Sequence, residues 1–287
     1  MNGIIVIDKP KDWTSHDVVA KLRGTLKIKR IGHGGTLDPM ATGVLPVFVG
    51  KATRAADFIT NADKEYIAGL RFGISTDTQD ITGEITSACD RVVSTAEVLA
   101  VLPRFLGAQK QIPPMYSALR HNGKKLYELA RKGIEVERPP RDILISAIEL
   151  LEPVDNDFIL RVACSKGTYI RTLCHDIGAA LGCGGVLSSL RRTAAGRFDI
   201  TMAHTLDSVL ETISSAKASE IMLPLDACFS EYPTITLTEI QSHKCKNGAR
   251  CETDAITEGT YRVYDSSGEF FMLAKVVNGE IKTIKRF

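Results

Sequence analysis

One carboxylate stands out by its setting. Asp38 closes the glycine-rich run Gly32-His33-Gly34-Gly35-Thr36-Leu37, and Pro39 follows it. Glycines allow positive φ and close approach of backbone to a ligand. Pro39 restricts Asp38 to extended geometry. A carboxylate held in one direction on a loop suits nucleophilic or charge-stabilising work. The same residues would also make an Asp-Pro turn leading into the apolar run Val44-Leu45-Pro46-Val47-Phe48-Val49.

Other chemistries lack their residues. Six residues separate Gly43 from Gly50, and alanine follows Lys51, so no P-loop forms. Gly182-Cys183-Gly184-Gly185 does not match the dinucleotide fingerprint, and no His-Glu-x-x-His, EF-hand or Gly-x-Ser-x-Gly occurs. The seven cysteines are odd in number, scattered and free of any Cys-x-x-Cys pair, which argues against zinc and against a disulfide framework. Asp77 and Asp80 sit in a Thr-Asp-Thr-Gln-Asp loop. They could face a cation, and loop capping is the simpler role.

Elements must hold these residues. Gly3–Asp8 reads as an apolar strand closed by Lys9-Pro10, and Ser15 as the N-cap of a helix to about Lys27. Lys51–Thr60 has helical periodicity. Lys64–Phe72 alternates as a strand with Tyr66, Ala68 and Leu70 on one face. Ser94–Leu106 reads as a capped helix. The stretch 111–141 is a long excursion with turns at Pro113-Pro114 and Asn122-Gly123 around a short basic helix, Lys124–Lys132. Such excursions are commonly lids. Ile143–Leu151 and Phe158–Ser165 read as paired strands, Thr168–Leu181 as an amphipathic helix stopped by Gly182, Val186–Arg192 as a strand and Thr205–Ile213 as a helix. From about residue 231 short strands alternate with turns, Asn278-Gly279 being a hairpin signal.

The chain of 287 residues suits two domains, and its 44% hydrophobic content suits a packed core without a membrane span. With no basic leader at Met1–Asp8, cytoplasmic residence is expected. Net charge is only +2, but Lys21, Arg23, Lys27, Lys29 and Arg30 cluster, and 117–141 carries seven Lys/Arg against Glu128, Glu135 and Glu137. Local basic patches suit a phosphate backbone, and equally an ordinary solvated surface.

Gly32-His33-Gly34-Gly35-Thr36-Leu37-Asp38-Pro39-Met40-Ala41-Thr42-Gly43-Val44-Leu45-Pro46 resembles the catalytic motif of the TruB-type pseudouridine synthases, with Gly34 where that motif usually has threonine. The likeness continues through Asp8-Lys9-Pro10, Lys64-Glu65-Tyr66, Thr76-Asp77-Thr78, Ile112-Pro113-Pro114-Met115-Tyr116, Ser165-Lys166-Gly167-Thr168-Tyr169-Ile170-Arg171 and Ser189-Leu190-Arg191-Arg192. It covers about residues 3–200, and the tail is short for the PUA-type domain of such enzymes.

The resemblance implies an α/β pseudouridine synthase fold of the α+β type. It has a mixed, mostly antiparallel sheet flanked by helices over 1–230, with an RNA-clamping insertion at 111–141. A small β-rich, PUA-like RNA-binding domain occupies 231–287. The implied activity is isomerisation of uridine to pseudouridine at position 55 in the T-loop of tRNA, by a monomer without cofactor or metal. Asp38 would be the catalytic acid, adding to uracil C6 or assisting departure of the base from C1′. Arg171 would pair it, and Tyr66 would stack on the uracil and assist proton transfer. His33 would fill the stacking place of the flipped base. Tyr169 and Leu190 would line the uridine pocket. By pattern alone Arg171 would be a surface residue, His33 a solvent or capping residue, and Tyr66, Tyr169 and Leu190 core residues. Rival readings are a synthase directed to another RNA by a guide, and an RNA-folding module without turnover.

Overall fold

The computed structural model describes residues 1–249, 251–253 and 257–287. A ten-stranded sheet forms its centre. Its main path runs His204–Thr205, Gly3–Lys9, Thr42–Val49, Gly185–Ala195, Lys64–Phe72, Phe158–Cys164, Arg141–Leu150, Gly107–Gln111. Ile31–His33 pairs with Thr42–Val49, and Phe198–Asp199 with Gly185–Ala195. Gly3–Lys9 pairs in parallel with His204–Thr205, and Thr42–Val49 with Gly185–Ala195. The other ladders are antiparallel. The sheet is mixed and mostly antiparallel, as expected.

Strand Gly3–Lys9 is apolar over Ile4–Ile7 because both faces are covered there. Ile5 and Ile7 pack with Val18, Val19 and Leu22 of helix Ser15–Leu26. Ile4 and Val6 pack with Phe48, Phe198 and Phe229 on the other side. That helix is capped by Thr14 rather than Ser15, in a capping box with Asp17. The acidic residue three positions after Thr14 is the sequence signal for this register. Ser15 is thereby freed for another task. On Lys64–Phe72, Tyr66, Ala68 and Leu70 share a core with Ile170, Leu173, Cys174 and Ile177 of helix Ile170–Ala180. The helix settles against the sheet at Gly178, where a Cβ would lie 2.2 Å from Gly185 N.

Several helices are shorter than expected. Residues 50–60 form a 3₁₀ turn, Gly50–Ala55, and one α-turn, Ala56–Thr60. The helix after Ser94 is α over Thr95–Val101 and 3₁₀ over Leu102–Phe105, where Pro103 supplies no N–H. The basic helix is only Leu126–Ala130. Lys124-Lys125 pairs instead with Arg120-His121 around Asn122-Gly123, both at positive φ.

The C-terminal part is β-rich. Thr234–Thr236, Gly259–Tyr264, Phe270–Val277 and Glu280–Arg286 form a four-stranded sheet around Leu237, Tyr261, Val263, Met272 and Val276. It also holds a helix, Glu239–Lys246, that the strand-and-turn reading did not foresee. Ser242 and Cys245 are its buried residues, so its apolar stripe is too thin to register as a period. Aromatic rings join this part to the main sheet: Phe229 lies 5.0 Å from Phe58 and 5.5 Å from Phe287, centroid to centroid. Among the described residues no helix is long and apolar enough to cross a membrane.

Candidate active site

The Asp38 loop is tied down from three sides. Ser15 Oγ donates to Leu37 O at 3.2 Å and accepts from Leu37 N at 2.8 Å. Lys9, fully buried, donates through Nζ to Trp13 O at 2.6 Å, Pro10 O at 2.8 Å and Pro39 O at 3.3 Å. Burial lowers the Lys9 pKa to about 8. Gly34 N donates to Pro46 O at 2.9 Å. Gly34, the departure from the family motif, is complemented by its neighbours: a Cβ there would lie 2.9 Å from Ile59 Cγ2 and 3.0 Å from Phe48 Cε2. The loop is firmly held without the threonine hydroxyl.

Arg171 enters from the first turn of helix Ile170–Ala180. Its Nη2 lies 3.0 Å from Asp38 Oδ2, and its Nη1 3.7 Å from Asp80 Oδ2. It also donates to Thr78 O at 3.0 Å and Tyr116 O at 2.7 Å. The exposures divide the labour: the Arg171 side chain is 6% exposed and that of Asp38 43%. The cation is sealed in as a clamp, while the acid faces open space. The pattern reading of Arg171 as a surface residue fails because the 111–141 insertion and the Thr76–Asp80 loop close over it.

A cavity of about 400 Å³ opens beside Asp38, with Tyr66, Tyr169, Arg171 and Leu190 in its wall together with Ser117 and Leu119 of the insertion. This volume suits a nucleoside-sized guest. Burial pushes the phenols of Tyr66 and Tyr169 up, with the charge of Arg192 opposing at Tyr66. Tyr169 sits at the N-cap of its helix, where Gln111 grips its backbone: Gln111 Oε1 accepts from Tyr169 N at 2.8 Å, and Gln111 Nε2 donates to Tyr169 O at 3.0 Å.

His33 does not line this cavity. Its ring packs edge-on against His16 at 5.7 Å. Burial, with the nearby charges of His16 and Arg192, lowers its pKa to about 4, so the ring is neutral near pH 7. Asp77 and Asp80 take the capping role. Asp80 Oδ1 accepts from Thr78 Oγ1 at 2.9 Å and Thr82 N at 3.0 Å, and Asp77 Oδ1 accepts from Glu84 N at 2.8 Å. Asp80 adds the second contact to Arg171, which spacing alone did not reveal. Among the described residues no group of His, Cys, Asp and Glu could hold a metal ion. All seven cysteines are free, and burial pushes Cys164 up to about 11 and Cys228 to about 12, so these thiols stay protonated.

Sequence reasoning also missed Lys9, Ser15, Gln111 and Arg192 as organisers of the site. Each acts on a partner 22 or more residues away, and the one local signal was Lys9 beside the apolar run Ile4–Ile7; Ser15 opens a helix and Gln111 ends a polar strand.

Residues 23–170 match the model of the TruB family pseudouridylate synthase N-terminal domain, and residues 171–245 that of the tRNA pseudouridylate synthase B C-terminal domain. The chain is 46% identical over 290 residues to tRNA pseudouridine synthase B of Syntrophomonas wolfei subsp. wolfei, covering 99% of this chain and 96% of that one. It is 40% identical to the Clostridium kluyveri protein of the same name, covering the whole of both. Its backbone is similar to a chain of a Cbf5-Nop10-Gar1 complex (TM-score 0.75, 27% identity, 99% of this chain and 84% of that one). A chain of an H/ACA RNP bound to a substrate RNA containing 2′-deoxyuridine also gives TM-score 0.75, at 26% identity over the same shares. The chain belongs to the TruB family of pseudouridylate synthases, and is an enzyme of this pseudouridine-forming isomerase class.

Proposed function

We propose that the protein converts the T-loop uridine at position 55 of tRNA to pseudouridine, with Asp38 as the catalytic carboxylate. The observation that carries this reading is the Asp38 oxygen, 3.0 Å from a sealed Arg171, at the edge of a nucleoside-sized cavity. The reaction breaks N1–C1′, joins C5 to C1′ and moves the C5 proton. It is redox-neutral, and no water enters the product. It needs an acid group to attack or stabilise charge, a pocket to retain the detached uracil, and an acceptor for the C5 proton.

In this reading Arg171 holds one carboxylate oxygen and aims the other at the nucleoside. Tyr66, Tyr169 and Leu190 enclose the uracil, and the Tyr66 hydroxyl takes part in proton transfer. The target must leave its stack, at a cost of a few kcal/mol. His33, as a neutral ring beside the loop, offsets part of this by stacking, worth about 1–3 kcal/mol per base. The insertion presents Arg120, Lys124, Arg131, Lys132 and Arg141 as exposed cations to the T-arm backbone. Residues 1–230 form the catalytic domain and 231–287 a PUA-like RNA-binding domain, in a cytoplasmic monomer.

The decisive experiment is tritium release from C5-labelled uridine in an unmodified tRNA transcript, with this chain as the sole protein. Release of one equivalent, abolished in a transcript lacking the T-loop uridine, supports the reading. Tight binding without release would favour an RNA-folding module. The similarity to a chain of an H/ACA RNP motivates a second reading, guide-dependent action on another RNA. Release from the lone chain and tRNA would exclude the need for a guide.

A further inference from the structure

Arg192 heads the fully buried side chains by volume, at 1% exposure. Among the described residues no carboxylate pairs with it. Its Nε donates to Val44 O at 2.7 Å, its Nη2 to Gly35 O at 3.1 Å and its Nη1 to Thr36 O at 3.4 Å. Stripping a guanidinium of water without a counter-ion is costly, and an apolar side chain would fill such a place more cheaply. A retained buried cation therefore needs a reason.

Its neighbours supply one. Gly35 and Thr36 lie immediately before Leu37-Asp38. On the antiparallel ladder between Gly185–Ala195 and Lys64–Phe72, Arg192 stands directly opposite Tyr66. Opposed residues of such a ladder project on the same face with Cβ atoms about 5 Å apart. Arg192 and Tyr66 both belong to the wall of the Asp38 cavity. On its other side Arg192 faces Gly43, at φ +100, where a Cβ would lie 2.2 Å from Arg192 O. The close approach of these strands sets the guanidinium under the loop. One planar fork thus touches the segment carrying the acid and sits beside the phenol.

We infer that Arg192 is a positioning residue for the isomerisation: it fixes the register between the Asp38 loop and the Tyr66 ring. The inference rests on the reading of Asp38 and Tyr66 given above. Lysine at this position would keep the charge but lose the planar fork that reaches diverging carbonyls.

The test uses the full-length chain, with single-turnover tritium release from C5-labelled tRNA transcript and filter-binding affinity measured side by side. Arg192→Lys should lower the single-turnover rate about 30- to 100-fold while the Kd for tRNA changes less than about threefold, as expected when reacting groups are misplaced by a fraction of an ångström to 1 Å. Combined with Tyr66→Phe, its effect should fall well short of the product of the two single losses. A rate within about threefold of wild type, a matching loss of affinity, or fully multiplicative losses would each overturn the inference. Should Arg192→Lys not fold, arginine-labelled NMR of the wild-type chain and Tyr66→Phe decides: the Arg192 guanidinium resonance should shift on loss of the hydroxyl, and an unmoved resonance contradicts the register. Asp38→Asn is run in parallel. Full turnover there overturns the reading of the site and this inference with it. Turnover lost in Asp38→Asn but kept in Arg192→Lys overturns this inference alone.

Discussion

The Asp38 loop and the 111–141 insertion both border the cavity and are built on opposite principles. The loop has few side chains of its own in the core, yet Ser15, Lys9 and Arg192 pin its backbone from three separate strands or helices. The insertion has a small private core, Met115, Leu126 and Leu129 with Tyr116, Leu119, Ala130 and Val136 around them. Its described side-chain links to the rest include Tyr116 O on Arg171 and Tyr116 Oη on Asp77. Basic residues cover its outside. On the function proposed above, chemistry that depends on sub-ångström placement would sit on the multiply bonded loop, and contact with a variable polyanion on the insertion, the adaptable side. Both meet at Arg171, which the loop's acid and the insertion's carbonyl share.

This contrast can be broken from either side. The largest effect is expected from Asp38→Asn, which should abolish turnover and leave tRNA affinity within about tenfold, because chemistry and backbone contacts are separate contributions. Turnover near wild type would refute the acid's role. Arg171→Ala should come next, lowering turnover by about 10²-fold or more and affinity much less, as it leaves Asp80 buried opposite an unpartnered acid. A loss confined to affinity would make Arg171 a phosphate contact.

On the adaptable side, changing Lys124, Arg131 and Lys132 together to alanine should weaken tRNA binding about tenfold or more at moderate salt. It should also flatten the salt dependence of log K by roughly two. The single-turnover rate at saturating RNA should stay within about threefold. A collapse of that rate with intact binding would show that the insertion organises the chemistry instead.

The smallest effect concerns pH. His33 titrates at about 4 in the folded chain, below the ordinary histidine value. As pH falls below about 6.5 the unfolded chain takes up this proton and the folded one does not, so the stability linked to the neutral ring is present above that pH and is lost as pH drops toward 4. His33→Phe keeps a ring and removes this titration. Between pH 7 and 5 its Tm should fall by a few degrees less than that of wild type, corresponding to about 1–2 kcal/mol. Parallel Tm curves would show that the imidazole is freely protonated when folded.

The sequence alone determined much of this protein. Alternating residues placed Tyr66, Ala68 and Leu70 on one face, and the glycine run with Asp-Pro marked the acid's loop. Asn278-Gly279 marked a hairpin, and the quoted motifs named the family. Those features are local: each is written within about ten neighbouring residues and enforced by backbone sterics and periodic burial. The tertiary structure alone decided that Arg171 is sealed, that Asp80 stands behind it, that His33 turns to His16 and that Arg192 props the loop against Tyr66. It also revealed the thinly apolar helix Glu239–Lys246. These outcomes depend on which strands lie side by side and what covers them. A side chain's burial and its partners 100 or more residues away are properties of the packed whole, not of its neighbours in the chain.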